Sequence, residues 1–321
     1  MAGAVIALIV AMLVTACGVT RGGDEPGLHR LRMMVPNSPG GGYDLTARTA
    51  VKIMEDDDIT GRVEVFNVIG AGGTVAMARL MNERGNEDLM MMMGLGVVGA
   101  TYTNGSKIKA SDATALAKMI EDPGAIFVPA DSPFETVQDF VAAWKADPSK
   151  VTIGGGSSPG GPDHLFPMET ARAVGVDPKS VNFVTYDGGG DLLTALLGQK
   201  VTVGSSSPGE FIDQIEAGQL RVLAVSSNER VEGIDAPTLK ESGIDLTFAN
   251  WRGILAPPGI SDDARQSMIK VLEELHGTQQ WKEALVKNGW TDAFTTGAAF
   301  EQFLKEQDTR VSTTLTELGL L

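Results

Sequence analysis

A chain of 321 residues is long enough for two domains with separate cores, and 43% hydrophobic with 21% charged residues excludes wholesale disorder. A formal net charge of −15 argues against a nucleic-acid partner. It also requires that any anion site be made locally positive by backbone amides and helix N-termini. Aromatics at 6% beside 39 glycines suit an α/β protein with many functional turns better than an aromatic-lined groove.

Met1 to Val14 is an apolar stretch too short to anchor stably across a bilayer, and it runs into Val14-Thr15-Ala16-Cys17-Gly18. Small residues before the only cysteine resemble a bacterial lipobox, with cleavage after Ala16 and lipid on Cys17. A plain secretory signal with an incidental cysteine is the alternative. No Lys or Arg precedes the apolar run, which departs from the usual pattern. A single cysteine leaves no internal disulfide, and no other segment approaches spanning length. The reading is a lipoprotein signal peptide at residues 1–16 and a linker at 17–29. The rest is an exported protein tethered to the outer face of the cytoplasmic membrane, or periplasmic.

Leu31 to Val35 reads as a strand, followed by Pro36-Asn37-Ser38-Pro39-Gly40-Gly41-Gly42-Tyr43 and a helix opening at Asp44. The three glycines let backbone approach a ligand, free helix N–H groups attract anions, and Asp44 is read as the N-cap, paired with Arg48. Arg62 to Val68 reads as a second strand, followed by Gly70-Ala71-Gly72-Gly73 and another helix. Neither loop has the G-x-G-x-x-G pattern and downstream acid of a dinucleotide site. Asp56-Asp57-Asp58 lacks the alternate spacing of a calcium loop and reads as a solvated helix end. Met90 to Met93 reads as a strand buried on both faces, because consecutive strand residues cannot converge four sulfurs on one metal. Thr101 to Asp112 reads as a polar loop, Asp122-Pro123-Gly124 as a turn, and Ala125 to Pro129 as another strand.

Lys150 to Ile153 leads into the third Gly-rich turn, Gly154 to His164, where Ser157 and Ser158 add hydroxyl donors. His164, at the end of that turn, is a candidate ligand donor, loop organiser or general base; no nucleophile motif surrounds it. Strands at Val181 to Tyr186 and Lys200 to Val203 lead to the last two turns, at Asp187 to Gly190 and Gly204 to Gly209. Five turns of one kind thus follow strand ends, and in an open α/β sheet such turns gather where ligands bind. Three helices, from Asp262, Thr278 and Gly297, close the chain.

In this order the motifs resemble the Bug (TctC-like) substrate-binding receptors of tripartite tricarboxylate transporters, from about Arg32 to Leu320. The resemblance rests on Pro36…Gly41-Gly42-Tyr43-Asp44…Arg48, Asn67…Gly70-Ala71-Gly72-Gly73, Gly156-Ser157…His164-Leu165 and Tyr186…Gly188-Gly189. It continues through Leu193…Leu197-Gly198, Ala217 to Val225, Pro237 to Gly243 and Trp251 to Gly259. It implies a two-domain periplasmic-binding-protein fold (type II-like), each domain a sheet flanked by helices and joined by crossover strands. Domain 1 would be 30–124 with 226–321, and domain 2 would be 125–225. Carried over by position, Gly40, Gly41, Gly42, Tyr43 and Gly72 face Ser157, Ser158 and His164 around a carboxylate. Tyr186, Gly188 and Ser205 or Ser206 bound its distal end. Asp187 and the Ser205-Ser206-Ser207-Pro208 stretch depart from the family pattern there. The implied function is capture of a small organic carboxylate by hinge closure, as a monomer, for delivery to membrane permease subunits. A ligand-binding partner of a membrane signalling receptor is the alternative. No cofactor and no metal are expected. Catalysis is not expected either, since metal-ligand spacing, a nucleophile elbow and a paired-carboxylate site are all lacking.

Overall fold

The computed structural model describes residues 31–186 and 188–321, so the leader, Cys17 and Asp187 lie outside the described residues. The chain begins β1 (Arg32–Val35), α1 (Gly42–Asp56), β2 (Glu64–Asn67), α2 (Thr74–Asn82), β3 (Leu89–Gly94), α3 (Leu95–Thr103), β4 (Thr114–Pro123). It continues β5 (Ala125–Pro129), α4 (Val137–Ala146), β6 (Thr152–Gly155), α5 (Pro162–Val174), β7 (Asn182–Thr185), α6 (Gly189–Leu197), β8 (Val203–Ser206), α7 (Ile212–Glu216), β9 (Leu220–Val225). It closes with β10 (Ala249–Ala256), α8 (Asp262–Gly277), α9 (Gln279–Asn288), β11 (Thr291–Thr296) and α10 (Gly297–Glu317).

These strands form two sheets, ordered β11-β4-β10-β3-β1-β2 and β7-β6-β8-β5-β9. In the first, β1 lies parallel between β2 and β3, and β10 runs antiparallel to both β3 and β4. In the second, β6 lies parallel between β7 and β8, and β5 runs antiparallel to both β8 and β9. With β11 set aside, the two sheets have the same strand order and directions, except that the antiparallel strand beside the parallel set comes last in the first lobe (β10) and first in the second (β5). A parallel neighbour requires a crossover, which α1 and α2 supply in one lobe and α5 and α6 in the other. The turns that follow β1, β2, β6, β7 and β8 therefore all leave carboxyl ends of parallel strands.

Methionine side chains sort the first lobe into two layers. Met34, Met91 and Met93 pack into the core cluster containing Leu80, Trp251 and Phe300. Met33, Met90 and Met92 pack into the opposite one with Met54, Leu272 and Trp281. The four-methionine run is a strand buried on both faces, as its pattern implied.

The chain passes out of the first lobe and back into it on two neighbouring segments. β4 pairs with β10 from Thr114↔Ala256 to Pro123↔Ala249, and β5 starts two residues later in the other sheet. Asp122-Pro123-Gly124 is therefore no turn; β10 holds this stretch extended as it passes between lobes. On the return path Ser226 N–H donates to Gly124 O at 2.8 Å and Phe248 N–H to Ser226 O at 3.0 Å. The Ser226 hydroxyl donates to Phe248 O at 2.6 Å.

Two further expectations need correction, and one strand is new. The loop expected from Thr101 is preceded by a helix, α3, which reaches Thr103 despite Gly96 and Gly99. Gly99 is required because the Gly160 carbonyl packs against it, leaving no room for a Cβ. The strand expected at Lys200 to Val203 lies at Val203–Ser206 instead, since Gly204 to Ser206, poor strand formers, are paired between β5 and β6. β11 had no sequence signal; it is an edge strand against β4.

Candidate functional site

The first loops of the two lobes share one backbone. Ser-Pro-Gly-Gly at 38–41 recurs at 158–161. Gly40 and Gly160 each sit at φ +83°, where a β-carbon is unfavourable. Gly41 and Gly161 are the N-caps of α1 and α5, with φ/ψ of −76°/167° and −79°/173°. Their N–H groups donate to the Ser38 and Ser158 carbonyls at 3.2 and 2.7 Å. The correspondence reaches the third helical residue. Gly40 N–H donates to Asp44 Oδ2 at 2.9 Å, and Gly160 N–H donates to His164 Nδ1 at 3.2 Å.

Asp44 is therefore not the N-cap expected of it. Gly41 holds that position without a side chain, and Asp44 reaches back from the first turn of α1. Its carboxylate also accepts from Arg48 Nε at 2.8 Å and from Asn67 Nδ2 at 2.9 Å. Burial works against its charge, but the bonds from Arg48, Gly40 and Asn67 prevail and hold the carboxyl below its ordinary range. His164 does the same job in the second loop without charge. Burial pushes its pKa down to about 4, and the Gly160 N–H fixes the proton on Nε2. Its ring stands edge-on to Phe183 at 4.9 Å. Of the three roles open to His164, this geometry is that of loop organiser.

The loops differ in the amides they leave available. At the start of α1, the N–H groups of Gly42, Tyr43 and Asp44 have no acceptor among the described residues; the first helical bond is Leu45 N–H to Gly41 O at 2.9 Å. In α5, Pro162 has no N–H, Asp163 N–H donates to Ser157 Oγ at 3.0 Å, and His164 N–H donates to Gly161 O at 3.1 Å. Only the first loop presents open donors at the end of a helix dipole.

The lobes meet around these loops. The Gly160 carbonyl rests on Gly99, and Thr103 Oγ1 donates to Pro159 O at 3.3 Å. Ser158 Oγ faces Gly72, 3.6 Å from where a Cβ would lie on it. Gly72, Ser158 and the Gly42 loop are thus on the facing surfaces. Ser157 bonds within its own loop. Gly188, at φ +109°, is the N-cap of α6 and packs against Gly156. Ser206 Oγ donates to Glu210 Oε2 at 3.2 Å. Ser205 and Tyr186 turn elsewhere. Ser205 lines a small cavity inside the second lobe with Phe140, Trp144 and Phe166, and the Tyr186 ring packs over Gly154 beside Leu192 and Val201.

The facing surfaces also gather ionisable groups that no sequence motif announced. Arg252, on β10, donates from Nη2 to Asp122 Oδ2 at 2.6 Å and from Nη1 to Thr46 Oγ1 at 3.0 Å. Its guanidinium and Glu210 Oε1 both lie over Gly42, so a Cβ there would meet them. Asp163, second residue of α5, feels both Glu210 and Asp122. Burial is the main cause of four upward shifts: Asp122 to about 6, Tyr43 to about 12, and Asp163 and Glu210 above the usual carboxylate range. Arg252 opposes burial at all four, while Glu210 and Asp122 reinforce it at Asp163. The expected lack of paired carboxylates is thus corrected. Asp122, Asp163 and Glu210 are 41 and 47 positions apart in sequence, and only the fold joins them. One signal was available: Arg252 is the one charged residue of β10.

Among the described residues no group of three or more His, Cys, Asp or Glu side chains is arranged to hold a metal ion. Nor is any described helix long and apolar enough to cross a membrane. Comparison with known proteins gives a family model, the tripartite tricarboxylate transporter family receptor (TctC), that matches residues 47–320. A Cupriavidus necator protein, described as a UPF0065 protein in the gbd 5' region, is 28% identical over 299 residues, covering 90% of this chain and 88% of that one. A TctC solute-binding protein from Polaromonas, solved without ligand, is 25% identical with a TM-score of 0.68, covering 89% and 98%. An R. palustris protein solved with adipate is 20% identical and shares the fold, with a TM-score of 0.81 over 91% and 97%.

Proposed function

The chain belongs to the tripartite tricarboxylate transporter receptor family, and we propose that it captures a small organic carboxylate between its lobes and delivers it to the membrane permease of such a transporter. The observation that carries this reading is the set of three open N–H groups on Gly42, Tyr43 and Asp44, at the start of a 15-residue helix facing the other lobe. The adipate in the R. palustris structure supports the ligand class. One ligand carboxylate oxygen can accept from two of these amides, and Ser158 can donate from the facing loop. A desolvated carboxylate held this way supports micromolar affinity, about −8 kcal/mol.

Capture proceeds by closure. The ligand contacts both lobes only when they meet, so its binding energy favours the closed arrangement. We place the hinge where Gly124 and Ser226 are bonded, between lobes 30–124 with 226–321 and 125–225. The protein acts as a monomer, and Cys17, outside the described residues, is its lipid attachment; the mass of the exported protein reads that directly. A thermal-shift panel of small organic acids tests the ligand class. Acids that bind the native state alone raise the melting temperature, and a panel without a single shift would sink the reading.

A further inference from the structure

The carboxyls of Asp122, Asp163 and Glu210 share a single guanidinium, Arg252, in the space between the lobes. Asp122 and Arg252 are 1% and 2% exposed and bond to each other. That leaves Asp163 and Glu210, both half-buried, without a cation of their own. Tyr43, Thr46, Ser206 and Ser207, polar groups at this place, are neutral, and so is His164 beside Asp163. Such an arrangement is ill suited to a ligand that brings only negative charge.

A second set of observations points to the carboxylate end of the ligand. Ser207 Oγ, 5% exposed, serves the Asp122 carboxyl, whereas Arg252 Nε is buried and has no hydrogen-bond partner among the described residues. A buried guanidinium donor left unmet beside the open amides calls for an acceptor, which a ligand carboxylate supplies. The open amides of α1 adjoin the same cluster, because Gly42 lies directly against Arg252 and Glu210.

We propose that the ligand is an amino-carboxylate zwitterion, its carboxylate on the amides of Gly42 to Asp44 and its protonated amine between Asp163 and Glu210. This rests on the carboxylate reading above and narrows it. The ammonium offsets the repulsion between the two carboxylates and donates up to three hydrogen bonds to them.

The test is calorimetry on the purified protein with acids matched except for the amine: propionate and alanine, succinate and aspartate, adipate and 2-aminoadipate. The expected result is that at least one aminated acid binds about tenfold or more tightly than its partner, the scale of a charge-assisted hydrogen bond. In Glu210→Gln and Asp163→Asn that advantage shrinks or disappears, while the acid without the amine binds as well or better. Repeating the wild-type titration in buffers of different ionisation enthalpy gives a readout independent of any variant's folding. Binding of the plain acid, which brings a negative charge beside the acidic pair, should take up more protons than binding of the aminated acid. Equal or tighter binding of the plain acids would overturn the inference and leave the carboxylate reading standing. If no acid of either kind binds, that reading falls, and the inference falls with it.

Discussion

The loop after β1 and the loop after β6 follow the same backbone path, yet only one leaves its helix N-terminus open. In the first, Gly42 keeps its N–H and the Asp44 carboxylate is neutralised by Arg48 and held by Asn67, so the negative side chain does not oppose an incoming anion. In the second, proline at the equivalent place removes one donor, Ser157 takes another, and a carboxylate, Asp163, stands where Tyr43 stands in the first. A Gly-rich turn into a helix is therefore not by itself an anion site. What the neighbouring side chains do with the amides decides, and the duplicated geometry leaves donors open on one side only.

The largest test of that contrast is pH. The folded pKa of His164, about 4 against an ordinary 6.5, lies below its unfolded value. Its contribution is therefore complete above pH 6.5 and lost as pH falls from there through about 4, by up to about 3 kcal/mol. Asp44 is also depressed, but from 3.8, so the first loop holds until pH falls below that value. Asp122, raised to about 6, adds a slope of opposite sign between 3.8 and 6. The quantity to measure is hence the difference in urea-derived stability between wild type and His164→Asn. A flat difference from pH 7 to 4 would break the assignment of neutral His164 as the counterpart of charged Asp44.

Next in size is the glycine–proline contrast. Gly42→Ala places a methyl against the Arg252 guanidinium and Glu210 and should weaken carboxylate binding about 30-fold, roughly 2 kcal/mol. Pro162→Ala should change it by no more than about twofold. Equal losses in calorimetry would show both loops binding alike. Asp44→Ala strips acceptors from Gly40, Arg48 and Asn67, which water partly replaces, and should cost about 1.5 kcal/mol in chemical denaturation. Arg48→Ala removes only the half-exposed member of that set and should cost about 0.5 kcal/mol or less.

Much of this was legible beforehand because periodicity and turn residues act locally. The order of strands and helices, the buried methionine strand, the Asp44–Arg48 pair and the five loops after strand ends are all written in short stretches. Asp44 was misplaced by three positions as a cap, since a side chain that reaches back from the first turn uses the same residue type as one that caps. α3 was missed because its two glycines lower helix propensity, and the reason for Gly99 lies in the other lobe, at Gly160. The acidic cluster was invisible for a stronger reason. Asp122, Asp163, Glu210 and Arg252 come from four segments, and each looks ordinary in its own surroundings.

The methionines of β1 and β3 carry a chemical consequence. Met33 and Met34 lie in register with Met90 and Met91, and with Met92 and Met93 they are six thioethers at 0% exposure in adjacent strands. An oxidant cannot reach them without opening the sheet, and a sulfoxide, polar and bulkier, could not be packed back into either layer. Peroxide uptake at these six sulfurs would therefore count excursions of the whole lobe away from its native state, and each event would remove that molecule from the folding equilibrium.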